Sequence, residues 1–375
     1  MIKMAEKTIF DLLKGEKSLE KISQLDSFNV AEVNEEGQSP LHLAVLNNNI
    51  EVAALLLQNG FNPNQKDNNQ LSPLIASAAN GLDEMFELLL LYHPDLKQVN
   101  RFGGTALLPS SEKGFIKVVQ KALDAGVPVN HQNRLGWTAL LEAVILGNEG
   151  FLFRDIIEEL VSHGADVKIK DFDSLSGIDY AEKRNSQFIL PILEKKITET
   201  AFTEIKKLIR NKEFYKAVKQ LLEIEESAEQ LYYLGFTYES LKNETAAFYY
   251  YERGYELDNQ FAYYLGNLAK KVGNSQQAIS YFEKGGEIKT DKVFYKYHLS
   301  NYLRELGKHE EAIEIMDTLL VEDPKRVDYL FHKANSLRSL ARHKEAYETM
   351  IQASQIQSSN SLFSEHAKES QLKMK

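Results

Sequence analysis

A fixed spacing governs what the first half of this chain can fold into. The segments Ser39-Pro40-Leu41-His42-Leu43-Ala44, Ser72-Pro73-Leu74-Ile75-Ala76-Ser77, Thr105-Ala106-Leu107-Leu108-Pro109-Ser110 and Thr138-Ala139-Leu140-Leu141-Glu142-Ala143 begin 33 residues apart. A degenerate fifth copy begins at Ser176-Gly177-Ile178. Self-similarity at such a period marks a solenoid, in which each unit covers its neighbour's apolar face. Each start is followed by an apolar helical run, such as Val52–Leu57 or Val118–Leu123, and then by turn residues at Asn59-Gly60, Ala125-Gly126 and His163-Gly164. Each unit is expected to begin with a helix capped by its Ser or Thr, with Pro in the first turn, where a missing N–H costs nothing.

These units resemble the ankyrin family, whose Thr-Pro-Leu-His-x-Ala signature is nearly intact at residues 39–44. The stretches Gly103–Leu108 and Asn133–Val144 resemble bacterial ankyrin proteins in particular. Ser176 follows Thr138 by 38 residues, so five extra residues fall near Gly147–Arg154, where a longer inter-helix loop is expected. Thr8–Val30 reads as a helical half-repeat and Ser186–Lys195 as a cap, which gives residues 1–195 four full repeats and two atypical ends.

Past Lys195 the period changes. Ala217, Ala247, Ala278, Ala312 and Ala346 each open a helix, the last three 34 apart, and Gly235, Gly266, Ser300 and Ala334 lie twelve residues before the last four of them. Small side chains at both places let two antiparallel helices approach closely. Leu221, Tyr251, Phe282, Met316 and Met350 follow each Ala by four. This pattern resembles the tetratricopeptide family, with about five helix hairpins over residues 196–375 and a polar capping helix from Ser361 to Lys375. The first two intervals, 30 and 31, are shorter than the 34 of that family. The fold class expected is all-α, two fused α solenoids. The junction Ile192–Glu199 reads as helical throughout, so the two arrays are expected to stack without a linker.

A chain of 375 residues with 43% hydrophobic and 26% charged content has core to bury. A net charge of −10 disfavours nucleic acid and anionic membrane, which draw on clustered Lys and Arg. The absence of cysteine removes disulfides, thiolate nucleophiles and cysteine-held zinc. The opening residues interleave charge with apolar side chains, and nothing later reaches membrane-spanning length, so a soluble cytoplasmic protein is expected. There is no phosphate-cradling Gly loop, no His-Glu-x-x-His and no Gly-x-Ser-x-Gly, so the expectation is a protein without catalysis, cofactor or metal. Asp171–Glu182 makes a poor calcium loop, lacking the turn Gly and a ligand at Leu175. The pairs His298/His332 and His309/His343, each 34 apart, follow from repetition, since equivalent atoms in stacked helices sit too far apart for one ion.

Two constellations stand out as binding candidates. Asn267, Asn301 and Asn335 recur at 34, each with an aromatic four residues before (Tyr263, Tyr297, Phe331) and a basic residue three after (Lys270, Arg304, Arg338). Those offsets define one helical stripe, about 110° from the packing stripe of Leu265, Gly266 and Ala269, and it is expected to line a groove. The tetratricopeptide resemblance implies that such Asn ladders hold extended peptides. The basic residues would favour acidic segments, with the aromatics as stacking surface. The competing reading has Asn bracing the next helix and the aromatics filling the superhelix. Family members that clamp carboxylate tails carry a Lys one turn before the Asn; here that place is aromatic.

In the first half, Asn100-Arg101-Phe102-Gly103 and Asn133-Arg134-Leu135-Gly136 put Arg101 and Arg134 on adjacent finger loops. Trp137, the only tryptophan, and Glu142 follow. An exposed Trp flanked by Arg is expected as a binding hot spot, against the reading that these are turn residues and Trp137 covers the stack. The function expected is a scaffold holding an extended acidic peptide on the second array and another protein on the first. The alternative is a sensor binding a small anion or metabolite near Arg101, Arg134, Trp137 and Glu142.

Overall fold

The computed structural model describes residues 8–13, 18–25, 27–196, 199–288 and 290–374, and among these every regular element is an α-helix. The chain divides into two compact units, residues 1–195 and 196–375.

In the first unit the 33-residue segments become helix pairs: α1 (Ile9–Leu13) and α2 (Ser18–Ser23), α3 (Pro40–Leu46) and α4 (Ile50–Gln58), α5 (Pro73–Ala79) and α6 (Asp83–Leu90), α7 (Leu107–Glu112) and α8 (Ile116–Ala125), α9 (Ala139–Leu146) and α10 (Phe151–Ser162), α11 (Gly177–Lys183) and α12 (Ile189–Leu193). First helices pack on first helices, from α3 through α11. Opening-segment residues 1–7 and 14–17 lie outside the described residues.

The expected caps form in most units. Ser72 Oγ accepts from Ile75 N at 3.4 Å and Thr138 Oγ1 from Leu141 N at 3.2 Å, while Ser176 and Asp179 cap each other reciprocally. His42 does more: Nδ1 accepts from Ser39 N at 3.1 Å, which leaves the proton on Nε2 to donate to the Leu71 carbonyl of the next unit at 3.1 Å. The third copy departs from the pattern. Pro109 has no N–H to extend the first turn, α7 has six residues, and the buried Thr105 Oγ1 meets no partner among the described residues.

The extra residues after Leu146 do not make the long loop expected. The loop spans only Gly147–Gly150, and α10 runs to 12 residues where α4, α6 and α8 have 9, 8 and 10. The apolar run Phe151-Leu152-Phe153 is continuous with the helix, and burying Leu152 and Phe153 repays the added turn.

The second unit is a series of hairpins: α13 (Ala201–Arg210) with α14 (Phe214–Leu221), α15 (Ala228–Ser240) with α16 (Glu244–Leu257), α17 (Phe261–Lys271) with α18 (Ser275–Gly286), α19 (Lys292–Glu305) with α20 (His309–Glu322), and α21 (Val327–Ser339) with α22 (His343–Ile356). The polar α23 (Ser361–Leu372) packs on α22. The close approach at Gly235 is required: a Cβ there would stand 2.3 Å from the buried Tyr251 ring. In the α19/α20 hairpin, Ser300 Oγ donates to the Ala312 carbonyl at 3.0 Å, so the twelve-residue spacing is a direct helix-to-helix contact.

The junction is not one helix. α12 ends at Leu193, residues 194–196 and 199–200 are non-helical, and α13 starts at Ala201. Lys195 takes φ +56°, a left-handed turn that ends α12, and Thr200 caps α13 afresh, its Oγ1 accepting from Phe202 N at 3.2 Å. Ile197 and Thr198 lie outside the described residues.

Candidate functional site

The aromatic members of the 34-residue ladder are core. Tyr263, Tyr297 and Phe331 are all buried, each against a histidine two helices further on: Tyr263 on His298, Tyr297 on His332 and Phe331 on His366, with ring centroids 5.0, 5.6 and 4.8 Å apart. They join consecutive units and offer no surface for stacking a ligand, which corrects the expectation for all three. The period identifies equivalent positions, but not which side the neighbouring unit covers.

The polar members divide unequally. Asn267 donates from Nδ2 to the Tyr263 carbonyl of its own helix at 3.0 Å, and Lys270 pairs with Glu305 of the next hairpin while lying 5.0 Å from the Tyr302 ring centroid. Arg304 instead donates to Asn301 Oδ1 at 3.1 Å and to His332 Nδ1. A guanidinium only donates, so Nδ1 must accept, and the His332 proton on Nε2 is the one shared with Tyr297 Oη at 3.1 Å. Arg338 repeats the contact on Asn335 Oδ1 and lies 5.8 Å from the Phe331 ring centroid. Asn301 is 6% exposed, so it is packed rather than turned fully toward a groove as its stripe position implied. Arg304 and Arg338 remain half-buried.

In the first unit one device recurs that the sequence reading missed. Asn34, Asp67, Asn100, Asn133 and Asp171 stand at the same place in successive finger loops. In the last four, Oδ1 accepts from the backbone N–H groups two and four residues on, at 2.8–3.0 Å. The signal was present: four of the five are 33 apart. Neighbouring loops are also tied together, Arg134 N donating to the Phe102 carbonyl at 2.8 Å. Arg101 donates from Nη1 to Asn69 Oδ1 at 3.3 Å on the preceding finger.

A family model for ankyrin repeats matches residues 7–98 and 74–171. The putative ankyrin repeat protein YahD of Escherichia coli K12 is 31% identical over 159 residues, 42% of this chain and 79% of that protein. This chain belongs to the ankyrin repeat family. Two solved structures are also similar: the ankyrin repeat protein EF0377, at 36% identity, TM-score 0.48, 50% of this chain and 96% of the other, and an ankyrin repeat domain of Acinetobacter baumannii AYE, at 35%, 0.48, 50% and 95%. Human transient receptor potential cation channel subfamily A member 1 is 29% identical over 133 residues, but the chain spans only 12% of its length. Ankyrin repeats are protein-interaction modules, and no described helix is long and apolar enough to cross a membrane.

Within the ankyrin half, Arg101 and Arg134 do stand on adjacent finger loops, but the expected exposure of Trp137 is wrong. Trp137 is 8% exposed, and its Nε1 donates to Asp171 Oδ2 at 3.2 Å. Tyr180 Oη donates to the same oxygen at 2.6 Å. Trp137 therefore ties its own finger to the next one. Glu142, 7% exposed, is equally interior; its Oε1 accepts from Asn133 Nδ2 at 2.9 Å. Burial, and after it the charge of Glu112, push the Glu142 carboxyl well above the usual carboxylate range, against the pull of the Asn133 hydrogen bond.

Proposed function

We propose that this protein is a non-catalytic cytoplasmic scaffold with two binding surfaces, an ankyrin array and a tetratricopeptide array. The hairpins with small residues at their crossings support the second assignment, since that is the packing the tetratricopeptide pattern demands. Its ligand is an extended acidic segment of a protein, held by the stripe of Asn267, Lys270, Asn301, Arg304, Asn335 and Arg338.

The observation that carries this reading is the Arg–Asn pair, made twice, by Arg304 on Asn301 and by Arg338 on Asn335. In each pair the guanidinium takes up the amide oxygen, so the stripe offers a ligand cationic charge rather than an amide acceptor. That favours carboxylates and carbonyls over a peptide bond read in both senses. A second protein docks on the ankyrin face beside Arg101 and Arg134. A small-anion site there loses two of its four members, because Trp137 and Glu142 are interior.

Capture from the source cell's lysate on the immobilised full chain tests the scaffold. Proteins retained by wild type and lost from the Arg304→Glu, Arg338→Glu variant are expected. Equal capture by both would remove the second array from the account.

A further inference from the structure

In the second helices of the second unit, the packed alanines fix which way the remaining positions point. Two and five residues after Ala217, α14 carries Lys219 and, just past its end, Leu222; two and five after Ala247, α16 carries Tyr249 and Glu252. Residues three apart share a helix face. All four are exposed, Leu222 at 58% and Tyr249 at 59%, so each face sets one large apolar side chain beside one charge in water. The charges are opposite. Lys219 makes no ion pair among the described residues, and Glu252 Oε1 accepts from Tyr281 Oη at 3.4 Å. Neighbouring charges are engaged locally, Lys216 with Glu213 and Arg253 with Glu226 and Glu256. In the three later hairpins the same two places hold Ser280 and Glu283, Glu314 and Asp317, and Glu348 and Ile351, without a base among them.

The match is crossed: the base of α14 suits the acid of α16, and the leucine of α14 suits the tyrosine of α16. Equivalent positions of consecutive repeats point the same way, so the two faces of one chain lie side by side and cannot meet each other. A two-fold axis running between α14 and α16 lays each helix on the other's counterpart in a second copy. Lys219 and Tyr249 then stand level, with Leu222 and Glu252 about 4.5 Å further along, a step those long side chains span. We propose that this face joins two copies of the chain, an isologous dimer in which Lys219 pairs with Glu252 and Leu222 packs on Tyr249 across the contact, each twice. A foreign partner needs only one of the faces, whereas a two-fold contact needs both, opposite in charge and at matching heights. The apolar pairs supply the attraction, and the exposed ion pairs chiefly set partner and register. The contact uses other helices than the Asn–Arg stripe of α17, α19 and α21.

Sedimentation velocity of the full chain over a wide concentration range is the test, with circular dichroism to show that each variant is folded. Wild type should pass from monomer to dimer as concentration rises. Lys219→Glu and Glu252→Lys should each weaken dimerisation about tenfold at low salt, because either change sets like charges against each other in both halves of the contact. Mixing the two single variants should restore it, since both pairs across the contact are then of opposite sign, and the chain carrying both changes should recover it as well. A wild type that stays monomeric at every concentration overturns the proposal. So does dimerisation that the single variants leave unchanged, or single variants that fail to recover when mixed.

Discussion

Arg304 Nη1 lies 3.1 Å from Asn301 Oδ1, and Asn301 is 6% exposed. The amide is thus part of the packing as well as the anchor of the guanidinium. Asn301→Ala is expected to cost about 1.5–3 kcal/mol of stability, the usual loss for a hydrogen bond to a charged group. Urea unfolding followed by circular dichroism measures it; no change would mean that Asn301 only serves a ligand.

Trp137 should behave as core. Trp137→Ala is expected to lose about 3–5 kcal/mol, as buried aromatics do. Trp137→Phe should lose less, because Asp171 Oδ2 keeps its bond from Tyr180. Thermal unfolding distinguishes the cases, and a Trp137→Ala protein as stable as wild type would put the ring back on the surface.

Glu142 gives the ankyrin half a pH dependence of known sign. Its carboxyl binds protons more tightly when folded, by burial and then Glu112, so the folded state binds more protons than the unfolded one. Its share of stability is full below the unfolded carboxylate value and falls as pH rises from there through the raised folded value. Glu142→Gln should therefore be the more stable protein at neutral pH, by about 1–3 kcal/mol as for a buried group relieved of its penalty, with the gap closing in acid. Unfolding at several pH values checks it; a gap that widens in acid would reverse the assignment.

Gly235→Ala should force the Tyr251 ring aside and cost about 1–3 kcal/mol, as overpacking does. Tyr251→Leu, which removes the ring, should recover part of that loss. Additive losses in a double-mutant cycle would show that the two positions do not share the contact.

What was legible in the sequence followed from periodicity. The 33-residue starts marked every first helix of the full repeats, and the Gly235/Ala247 and Ser300/Ala312 spacings marked the hairpin crossings. What escaped depended on partners a full repeat away. Trp137 is buried because Asp171, 34 residues on, receives its N–H, and Tyr297 is buried because His332 covers it from the next hairpin. The insertion after Leu146 was visible, but its apolar residues decided that it would extend a helix. Asn34, Asp67, Asn100 and Asn133 were in plain register, yet side chains that bond their own loop carry no apolar signal.

The central claim is that Arg304 and Arg338 hold an acidic segment, and one titration addresses it directly. A fluorescein-labelled peptide of alternating glutamate and serine, beside its glutamine counterpart, is titrated into wild type and into the Arg304→Glu, Arg338→Glu variant at two salt concentrations. The account predicts that wild type prefers the glutamate peptide, that the preference shrinks with salt because half-exposed charges are screened over about 10 Å at 0.1 M, and that the variant loses it. Equal affinity of wild type for both peptides, or of both proteins for the glutamate peptide, would contradict it.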